Sequence, residues 1–369
     1  MKTKSLWIGS VLCLIMSGAL AFAMASARPG PAERKAATCG TINPVVEYAN
    51  HLRVEEPERY ASLSLFPISV SAVKVPGVDL TLTRAVKSGL FEVGELGESA
   101  VNRVRVRNRA KEPVFIMAGE MLRGGKQDRI AGDDLIVPPK STLSVAVFCV
   151  EHGRWAGRES GFSVGHSLAG ARVRQSAGRG GGQGAVWSSV AEQQKALRAP
   201  SVTGALRSVH DSEAVREQMK PYLRALSDLP NKHRKAVGIV AVFGDQIIAA
   251  DLFSSRELFD AMWPDLLEAY VIDGLEREEI GPRRHHHDEK RAALDAKDVL
   301  RWLNGLRSAK LSPKDTPGDG ELYELSGRDL SGAALVYDCG VVHTGLFAGE
   351  VVIARPDYNP IEFRRERMR

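Results

Sequence analysis

Two apolar runs near the middle of the chain each lead directly into a charged segment that contains glycine. Residues 114–118 precede the segment 119–129, and residues 145–148 precede the segment 149–155. Short runs of valine, isoleucine and phenylalanine are typical of buried strands, and glycine lets a ligand or a neighbouring chain segment approach the backbone. The pattern predicts two strands whose ends hold charged side chains in fixed positions, as a binding or catalytic site requires.

Alternation with a period of two is clear in the N-terminal half of the chain. Val104 and Val106 are separated and flanked by arginines at positions 103, 105 and 107. Such alternation predicts an antiparallel sheet with one apolar and one solvated face. Strand patterns of this kind, joined by short turns, favour a β-sandwich-like arrangement.

The second half of the chain alternates helical patterns with hairpins. Residues 211–226 have the spacing of an amphipathic helix, residues 238–251 predict a hairpin, and residues 254–257 form a capping box. We therefore predict an α+β fold, in which an antiparallel β-sandwich-like N-terminal half is followed by helices alternating with β-hairpins.

The start of the chain has the three parts of a secretory signal peptide. Two lysines precede the apolar run 6–22, and small-residue cleavage sites end at Ala23 and Ala27. The apolar run approaches membrane-spanning length, so a retained anchor is the alternative, but the cleavage sites favour removal. We predict an exported protein, periplasmic or extracellular, with no transmembrane segment after signal removal.

Composition divides the chain into four parts, one of which contains a long loop. Glycine makes regular structure costly, so the glycine-rich stretch around residues 178–184 is expected to be mobile. The predicted parts are a signal peptide (1–27), a flexible leader (28–59), a single α+β domain (60–353) with a mobile loop (157–186), and a basic tail (354–369).

The charge balance and the cysteines limit the partners and the compartment. The formal net charge is +5, and removal of two lysines with the signal peptide leaves +3. The basic residues form no concentrated stripe, so we predict no nucleic-acid partner. Cys39, Cys149 and Cys339 remain after processing. They allow one disulfide and one free thiol, and the sequence leaves the pairing open.

Three motifs match known sites without the context that those sites need. Residues 119–126 lack the spacing of a P-loop, and residues 161–165 match a serine-hydrolase elbow without the strand before it and the helix after it. The run His285-His286-His287-Asp288 lies among charged residues typical of a solvated loop. Consecutive histidines point in different directions, so we predict no metal site, and the sequence identifies no cofactor.

Six polar residues and one tryptophan at the ends of the two central strands form the candidate site. Glu120 and Glu151 are the candidate catalytic residues, because two carboxylates can act as general acid and base or hold a ribose-like diol. Cations can bind phosphate or carboxylate, and an aromatic ring can stack on a ligand. The candidate ligand-binding residues are Lys126, Gln127, Arg129, Arg154 and Trp155.

The alternative interpretation of these residues is an ion-pair network that pins loops to a sheet, with Trp155 packed in the core. Strand alternation places Cys149 and Glu151 on one face, and Phe148 and Val150 on the other. If Phe148 and Val150 face the core, Glu151 faces outward, where it can contact a ligand or an arginine.

Segments 119–129 and 149–155 together resemble the domain family named for its association with ADP-ribosylglycohydrolases and rhodanese-phosphatases. The resemblance implies a role in NAD or ADP-ribose metabolism. It covers most of residues 60–350 and includes Gln175, residues 185–187 and residues 251–253.

The residues and the resemblance together lead to two functional hypotheses. The first is an exported domain that binds, with or without processing it, a phosphate- and ribose-containing small molecule related to ADP-ribose or NAD. The alternative is a non-catalytic module for cell-envelope interaction or structure. The sequence leaves open whether the protein is an enzyme.

Overall fold

The computed structural model describes residue 39 and residues 41–97, 101–154, 161–178, 181–280 and 293–349. The predictions for the signal peptide, the basic tail, Trp155 and the histidine run fall outside these ranges. In the described part of the chain, no helix is long and apolar enough to cross a membrane.

Strands dominate the N-terminal half of the described ranges, and helices and strands share the second half. The strands, in chain order, are β1 (Leu52–Val54), β2 (Glu58–Tyr60), β3 (Leu63–Val70), β4 (Leu80–Thr81), β5 (Phe91–Glu95), β6 (Arg103–Asn108), β7 (Val114–Ile116), β8 (Glu120–Gly124), β9 (Arg129–Ala131), β10 (Leu135–Val137), β11 (Thr142–Cys149), β12 (Phe162–Leu168), β13 (Ala236–Phe243), β14 (Gln246–Phe253), β15 (Lys310–Lys314), β16 (Glu321–Ser326), β17 (Leu330–Tyr337) and β18 (Gly340–Ala348). The helices are α1 (Pro44–Asn50), α2 (Leu82–Lys87), α3 (Ala171–Gly178), α4 (Gly182–Ala196), α5 (Arg207–Asp211), α6 (Glu213–Leu226), α7 (Leu229–Lys232), α8 (Arg256–Ile280) and α9 (Ala296–Leu303). The α+β class predicted from the sequence is confirmed.

The largest sheet is antiparallel and has nine strands. Its order is β1-β3-β13-β14-β18-β17-β16-β15, and β2 also pairs with β3. In β13, Ile239 and Ala241 belong to one core cluster, whereas Val240 and Val242 belong to another. Because successive side chains of a strand point to opposite faces, this sheet is buried on both sides.

Helices cover the two faces of the nine-stranded sheet. Phe259 of α8 packs in the same cluster as Ile239 of β13. On the other face, Val45 of α1 and Val299 of α9 pack with Val240. The two faces therefore form two separate apolar cores.

Short polar residues fix where two of these helices begin. Asn43 accepts a hydrogen bond of 2.9 Å from the N–H of Val45, and Pro44 occupies the first position of α1. Asp295 and Asp298 form a capping box at the start of α9, in which each side chain accepts from the other residue's N–H.

Two smaller sheets share a third apolar cluster and form the sandwich-like part of the fold. The six-stranded sheet has the order β12-β8-β9-β11-β6-β5, and the three-stranded sheet has the order β10-β7-β4. Val104 and Val106 of β6 pack with Val114 and Ile116 of β7, while Arg105 is exposed. The alternation in β6 that the sequence predicted is confirmed.

The sandwich does not include the first strands of the domain, contrary to the sequence prediction. Strand β3 pairs with β13, where Phe66 lies opposite Val240. A pairing between segments so far apart leaves no local pattern in the sequence. The predicted flexible leader 28–59 also differs, because it contains α1, β1 and part of β2.

The stretch 157–186 does not form the predicted mobile loop. Its described residues form β12, α3 and the start of α4. Val173 of α3 and Val186 of α4 pack with Met121 and Val150 in a fourth apolar cluster. Burial of these side chains offsets the conformational entropy that the neighbouring glycines lose on ordering.

The cysteine pairing left open by the sequence is resolved. Cys39 is bonded to Cys339, at the turn between β17 and β18. Cys149 is a buried free thiol at the end of β11. The disulfide ties the start of the domain to the nine-stranded sheet.

Candidate functional site

The described residues of the predicted site lie at the two ends of strand β8. Glu120 begins this strand and Gly124 ends it. At the rise of an extended chain these residues are about 13 Å apart. Arg154 donates a hydrogen bond of 3.5 Å to the carbonyl oxygen of Gly124, so it lies at the far end from Glu120.

Two networks of charged and polar side chains occupy this part of the molecule. We call the first the Glu151 network, and it consists of Asp128, Glu151, Arg154, Thr203 and Arg207. We call the second the Asp251 network, and it consists of Asp134, Arg174, Asp251, Tyr270 and His343. Among the described residues of the predicted site, Glu120 therefore lies outside the network that contains Glu151 and Arg154.

Glu151 is fully buried and contacts protein groups at both carboxylate oxygens. Arg154 donates from Nε to Oε2 at 2.8 Å, and the N–H of Asp128 donates to the same oxygen at 3.1 Å. Thr203 Oγ1 donates to Oε1 at 2.8 Å, and a terminal nitrogen of Arg207 lies 3.8 Å from that oxygen.

The outward orientation predicted for Glu151 is therefore wrong. Strand β11 ends at Cys149, and Glu151 forms an isolated bridge with Ala205 instead of continuing the strand. Strand alternation applies only within a strand, so it does not determine the direction of this side chain.

Asp128 is the second buried carboxylate of the Glu151 network. Its Oδ1 accepts from the N–H of Gly124 at 2.9 Å and lies 3.2 Å from Arg154. Its Oδ2 lies 3.3 Å from Nε of Arg207. Burial raises the pKa of Asp128 above its ordinary value, against the effect of the Gly124 N–H and the two arginines.

The pKa of Glu151 shifts in the opposite direction to that of Asp128, although burial raises the pKa of both groups. Burial raises its pKa, but hydrogen bonds from Arg154, from the N–H of Asp128 and from Thr203 lower the pKa below its ordinary value. Glu151 is therefore ionised at neutral pH and pairs electrostatically with the arginines.

Two consecutive glycines shape the turn that leads into Asp128. Gly124 has φ of +116° and Gly125 has φ of +54°, which are conformations that favour glycine. A Cβ on Gly125 would lie 2.5 Å from both the carboxylate of Glu95 and the ring of Phe162. The Gly-Gly-Lys segment thus forms a tight turn packed against protein atoms.

The remaining ligand-binding candidates also contact protein groups. The side chain of Gln127 donates to the carbonyl oxygen of Glu151 at 2.8 Å. Arg129 is fully buried and lies 3.3 Å from the carboxylate of Glu95. The backbone N–H of Lys126 donates to that same carboxylate at 2.9 Å. Gln127 and Arg129 are therefore internal contacts of the fold.

The Asp251 network, which the sequence analysis missed, lies deeper in the protein. Nδ1 of His343 lies 2.7 Å from Asp134, and its Nε2 lies 3.2 Å from Asp251. Arg174 donates to both carboxylate oxygens of Asp251, at 2.8 and 2.9 Å, and the hydroxyl of Tyr270 also donates to Asp251. All five side chains are buried.

The charges of the Asp251 network compensate one another. Burial alone would lower the pKa of His343, but Asp134 and Asp251 raise it to about 9. Burial would raise the pKa of Asp251, but Arg174 and His343 hold it well below its ordinary value. At neutral pH the network contains two carboxylates, one imidazolium and one guanidinium.

Glu120 lies beside this network and has a different protonation state. Burial raises its pKa to about 8, and repulsion from Asp265 and Asp134 adds to this shift, whereas a hydrogen bond from the N–H of Met117 opposes it. That hydrogen bond is 2.7 Å long. Glu120 is therefore mostly neutral at pH 7 and shielded from solvent.

A family model matches most of the chain. The model of the ARG and Rhodanese-Phosphatase-superfamily-associated Protein domain matches residues 51–347. The chain belongs to this family. The family suspected from the two central motifs is thus confirmed, and both charge networks lie within the matched range. Comparison with curated proteins and with solved structures finds no significant match.

Two residues of the Asp251 network stand out in the sequence, because each is a lone ionisable residue in an apolar strand. Asp251 is a lone carboxylate in the apolar strand β14, and His343 is a lone histidine in the apolar strand β18. A charge in an apolar strand is costly unless a partner compensates it. The partners Asp134 and Arg174 come from other parts of the chain, so local sequence does not reveal them.

In the Glu151 network, the arginines are more exposed to solvent than the carboxylates. The side chains of Arg154 and Arg207 are 22% and 40% exposed, whereas the carboxylates behind them are buried.

Within the described ranges, no group of three or more His, Cys, Asp or Glu side chains could hold a metal ion. Ser163 of the elbow-like motif lies inside β12 and donates to the carbonyl oxygen of Arg123.

Proposed function

We propose that this chain is an exported domain that binds a phosphate- and ribose-containing small molecule related to ADP-ribose or NAD, at the outer side of the Glu151 network. One observation carries the proposal: Arg154 and Arg207 contact the same two buried carboxylates and remain partly exposed. A guanidinium that is already fixed loses little conformational entropy when it binds phosphate.

Glu151 and Asp128 act in this proposal as positioning residues. The oxygens of Glu151 already accept hydrogen bonds from Arg154, Asp128 and Thr203, and its lowered pKa keeps it ionised. Such a group holds the arginines and does not donate a proton to a ligand. Trp155 follows Arg154 in the chain, and we assign to it the stacking contact with a base or ribose.

Export and ligand class have separate support. The signal-peptide pattern at the N-terminus favours export, and the bond between Cys39 and Cys339 agrees with an oxidising compartment. The ligand class is supported by the family name, which refers to an association with ADP-ribosylglycohydrolases. A phosphate group can also accept charge-assisted hydrogen bonds from the two arginines of the proposed site.

Calorimetric titration of the mature protein with ADP-ribose, ADP and ribose 5-phosphate tests the proposal. Arg207→Gln is expected to weaken ADP-ribose binding by about tenfold or more, which corresponds to the loss of one charged hydrogen-bonding contact. Arg172→Gln is the matched control, because Arg172 is 38% exposed and contacts a buried carboxylate, that of Glu276. This control is expected to bind ADP-ribose like the unaltered protein.

The alternative function is a non-catalytic module for cell-envelope interaction or structure. It is favoured by the fact that the buried carboxylates of the Glu151 network contact protein groups on all sides. Absence of binding for all three ligands would support this alternative and contradict the proposal. If Arg207→Gln and Arg172→Gln weakened ADP-ribose binding equally, the proposal would also be contradicted, since the loss would then not depend on the Glu151 network.

A further inference from the structure

A groove with a concentration of basic side chains lies at one end of the nine-stranded sheet. Arg53 of β1 is the cross-strand neighbour of Ser69 of β3, and Ser69 also pairs with Ala236 at the start of β13. Arg234 and Lys235 immediately precede β13. The resulting groove has a volume of about 420 Å³ and is lined by Arg53, Ser69, Val70, Arg234, Lys235 and Arg256.

The neighbouring carboxylates do not neutralise these basic residues. Glu55 pairs with His233 at 2.9 Å, and Glu58 pairs with Lys232 at 2.9 Å. Arg53, Arg234 and Lys235 form no ion pair with other residues in the described ranges, and Arg53 and Arg234 are exposed. The groove therefore has an excess of positive charge that can attract an anion.

Arg256 forms a fixed wall of this groove. Its Nε donates to Asp260 at 2.6 Å, and its terminal nitrogens donate to the carbonyl oxygens of His233 and Pro230, at 3.1 and 2.6 Å. These contacts hold the Arg256 guanidinium in place without a ligand. The cations left to contact an anion are Arg53, Arg234 and Lys235.

An apolar second half continues the groove beyond Val70 and Arg256, which line both halves. It has a volume of about 320 Å³, and its walls include Val73, Val75 and Val237. Val75 is 52% exposed, although valine side chains are usually buried. An apolar ligand group that covered these valines would remove apolar surface from water.

The lining of the two halves differs in charge. Glu257 lines the apolar half, whereas no carboxylate of the described residues lines the basic half. Ser255, which also lines the apolar half, donates from its hydroxyl to Asp79 at 2.6 Å. These two carboxylates disfavour an anion there. An anionic group is therefore directed to the opposite half, where Arg53, Arg234 and Lys235 lie.

We infer that this groove is a second binding site, which takes an anionic amphiphile. The phosphate or carboxylate head lies on Arg53, Arg234 and Lys235, and the apolar body lies on Val70, Val73 and Val75. None of these residues belongs to the Glu151 network, so the inference is independent of the function proposed above.

Calorimetric titration of the mature protein with hexyl phosphate, hexanoate, hexanol and inorganic phosphate tests the inference. Hexyl phosphate is expected to bind at least about tenfold more tightly than inorganic phosphate, because each buried methylene contributes about fourfold in affinity. Hexanol, which lacks the charge, is expected to bind more weakly than hexyl phosphate. A comparison of hexyl phosphate with hexanoate shows which head group the site prefers.

Two sets of variants separate the halves of the groove. The double variant Arg234→Ser with Lys235→Ser removes two cations. It is expected to lower the affinity for hexyl phosphate by about tenfold or more. Arg105→Ser with Arg107→Ser removes two exposed cations from β6 and is the charge-matched control, expected to change the affinity by less than about twofold. Val73→Ser with Val75→Ser is expected to lower the affinity for hexyl phosphate to nearly that for inorganic phosphate. The affinity for inorganic phosphate should stay unchanged.

Three results would overturn the inference. The first is no measurable binding of hexyl phosphate or hexanoate. The second is equal affinity for hexyl phosphate and inorganic phosphate, which would mean that the valines contribute nothing. The third is an equal loss of affinity for hexyl phosphate in the Arg234/Lys235 double variant and in the Arg105/Arg107 double variant. It would mean that only the net charge of the protein matters.

Discussion

Nδ1 of His343 lies 2.7 Å from a carboxylate oxygen of Asp134, although the two residues are 209 positions apart. His343 belongs to β18 of the nine-stranded sheet, whereas Asp134 lies between β9 and β10 of the two smaller sheets. The contact is therefore a buried ion pair that joins the large sheet to the sandwich-like part of the fold.

Asp134→Asn is expected to reduce the free energy of unfolding by about 3 kcal/mol, because it leaves the buried imidazolium of His343 without one of its two counter-charges. Urea denaturation at pH 7 measures the change. Asp133→Asn is the control, since Asp133 pairs with Lys314 at 2.7 Å but is partly exposed. This control should cost less than about 1 kcal/mol. Equal losses in the two variants would contradict a special contribution of the buried pair.

Stability is expected to fall as pH rises from 5 to 9. The pKa of His343 in the folded protein is about 9, above its ordinary 6.5, so its contribution is complete below pH 6.5 and is lost as pH rises through 9. The pKa of Glu120 is about 8, above its ordinary 4.5, so the contribution of its neutral form is complete below pH 4.5 and is lost as pH rises through 8.

Glu120→Gln separates these two contributions, because glutamine stays neutral at every pH. Urea denaturation at several pH values should show less loss between pH 4.5 and 8 in this variant than in the unaltered protein. The loss due to His343, between pH 6.5 and 9, should remain. Parallel pH profiles for the two proteins would show that Glu120 titrates alike in the folded and unfolded states.

Local patterns in the sequence predicted a large part of the fold. Val104 and Val106 alternate with arginines in the sequence and pack on one face of β6 in the structure. Gly244, with φ of +61°, lies in the turn between β13 and β14, inside the hairpin predicted for residues 238–251. These features depend on neighbouring residues only, so a single sequence contains the information.

Long-range pairing decided the rest of the fold and most of the site. The sequence pointed to Glu151 and Arg154, which are three positions apart, but not to Thr203, which donates to Glu151 from 52 positions away. Arg174 and Asp251 pair across 77 positions. Neither contact follows from periodicity or turn patterns, because only the folded chain brings the partners together.

Gly125→Ala tests whether the glycine turn of the predicted site is structural. A Cβ at this position would lie 2.5 Å from the ring of Phe162, and φ is +54°, so we expect a loss of about 2 to 4 kcal/mol from strain and overpacking together. Gly97→Ala is the control, because Gly97 also has positive φ, +80°, but open space around it.

Thermal and urea denaturation of both variants measure the difference. Gly97→Ala carries only the backbone strain, which is about 1 kcal/mol. If Gly125→Ala is no less stable than Gly97→Ala, the close packing of this turn against Glu95 and Phe162 does not contribute to stability.

Glu151→Gln tests the positioning role of Glu151 with two independent measurements. The change keeps the shape of the side chain and removes its charge, so the guanidiniums of Arg154 and Arg207 lose a counter-charge that is fully buried. We expect a loss of about 3 kcal/mol in the free energy of unfolding. We also expect about tenfold weaker binding of ADP-ribose to the folded protein, because the two arginines are no longer held in place.

Glu192→Gln is the control, since Glu192 is 60% exposed and pairs with Arg172. It should change neither the free energy of unfolding nor the affinity for ADP-ribose appreciably. Loss of stability with unchanged binding would assign Glu151 to the fold alone. Loss of binding with unchanged stability would mean that Glu151 contacts the ligand itself, and either result would contradict the positioning role.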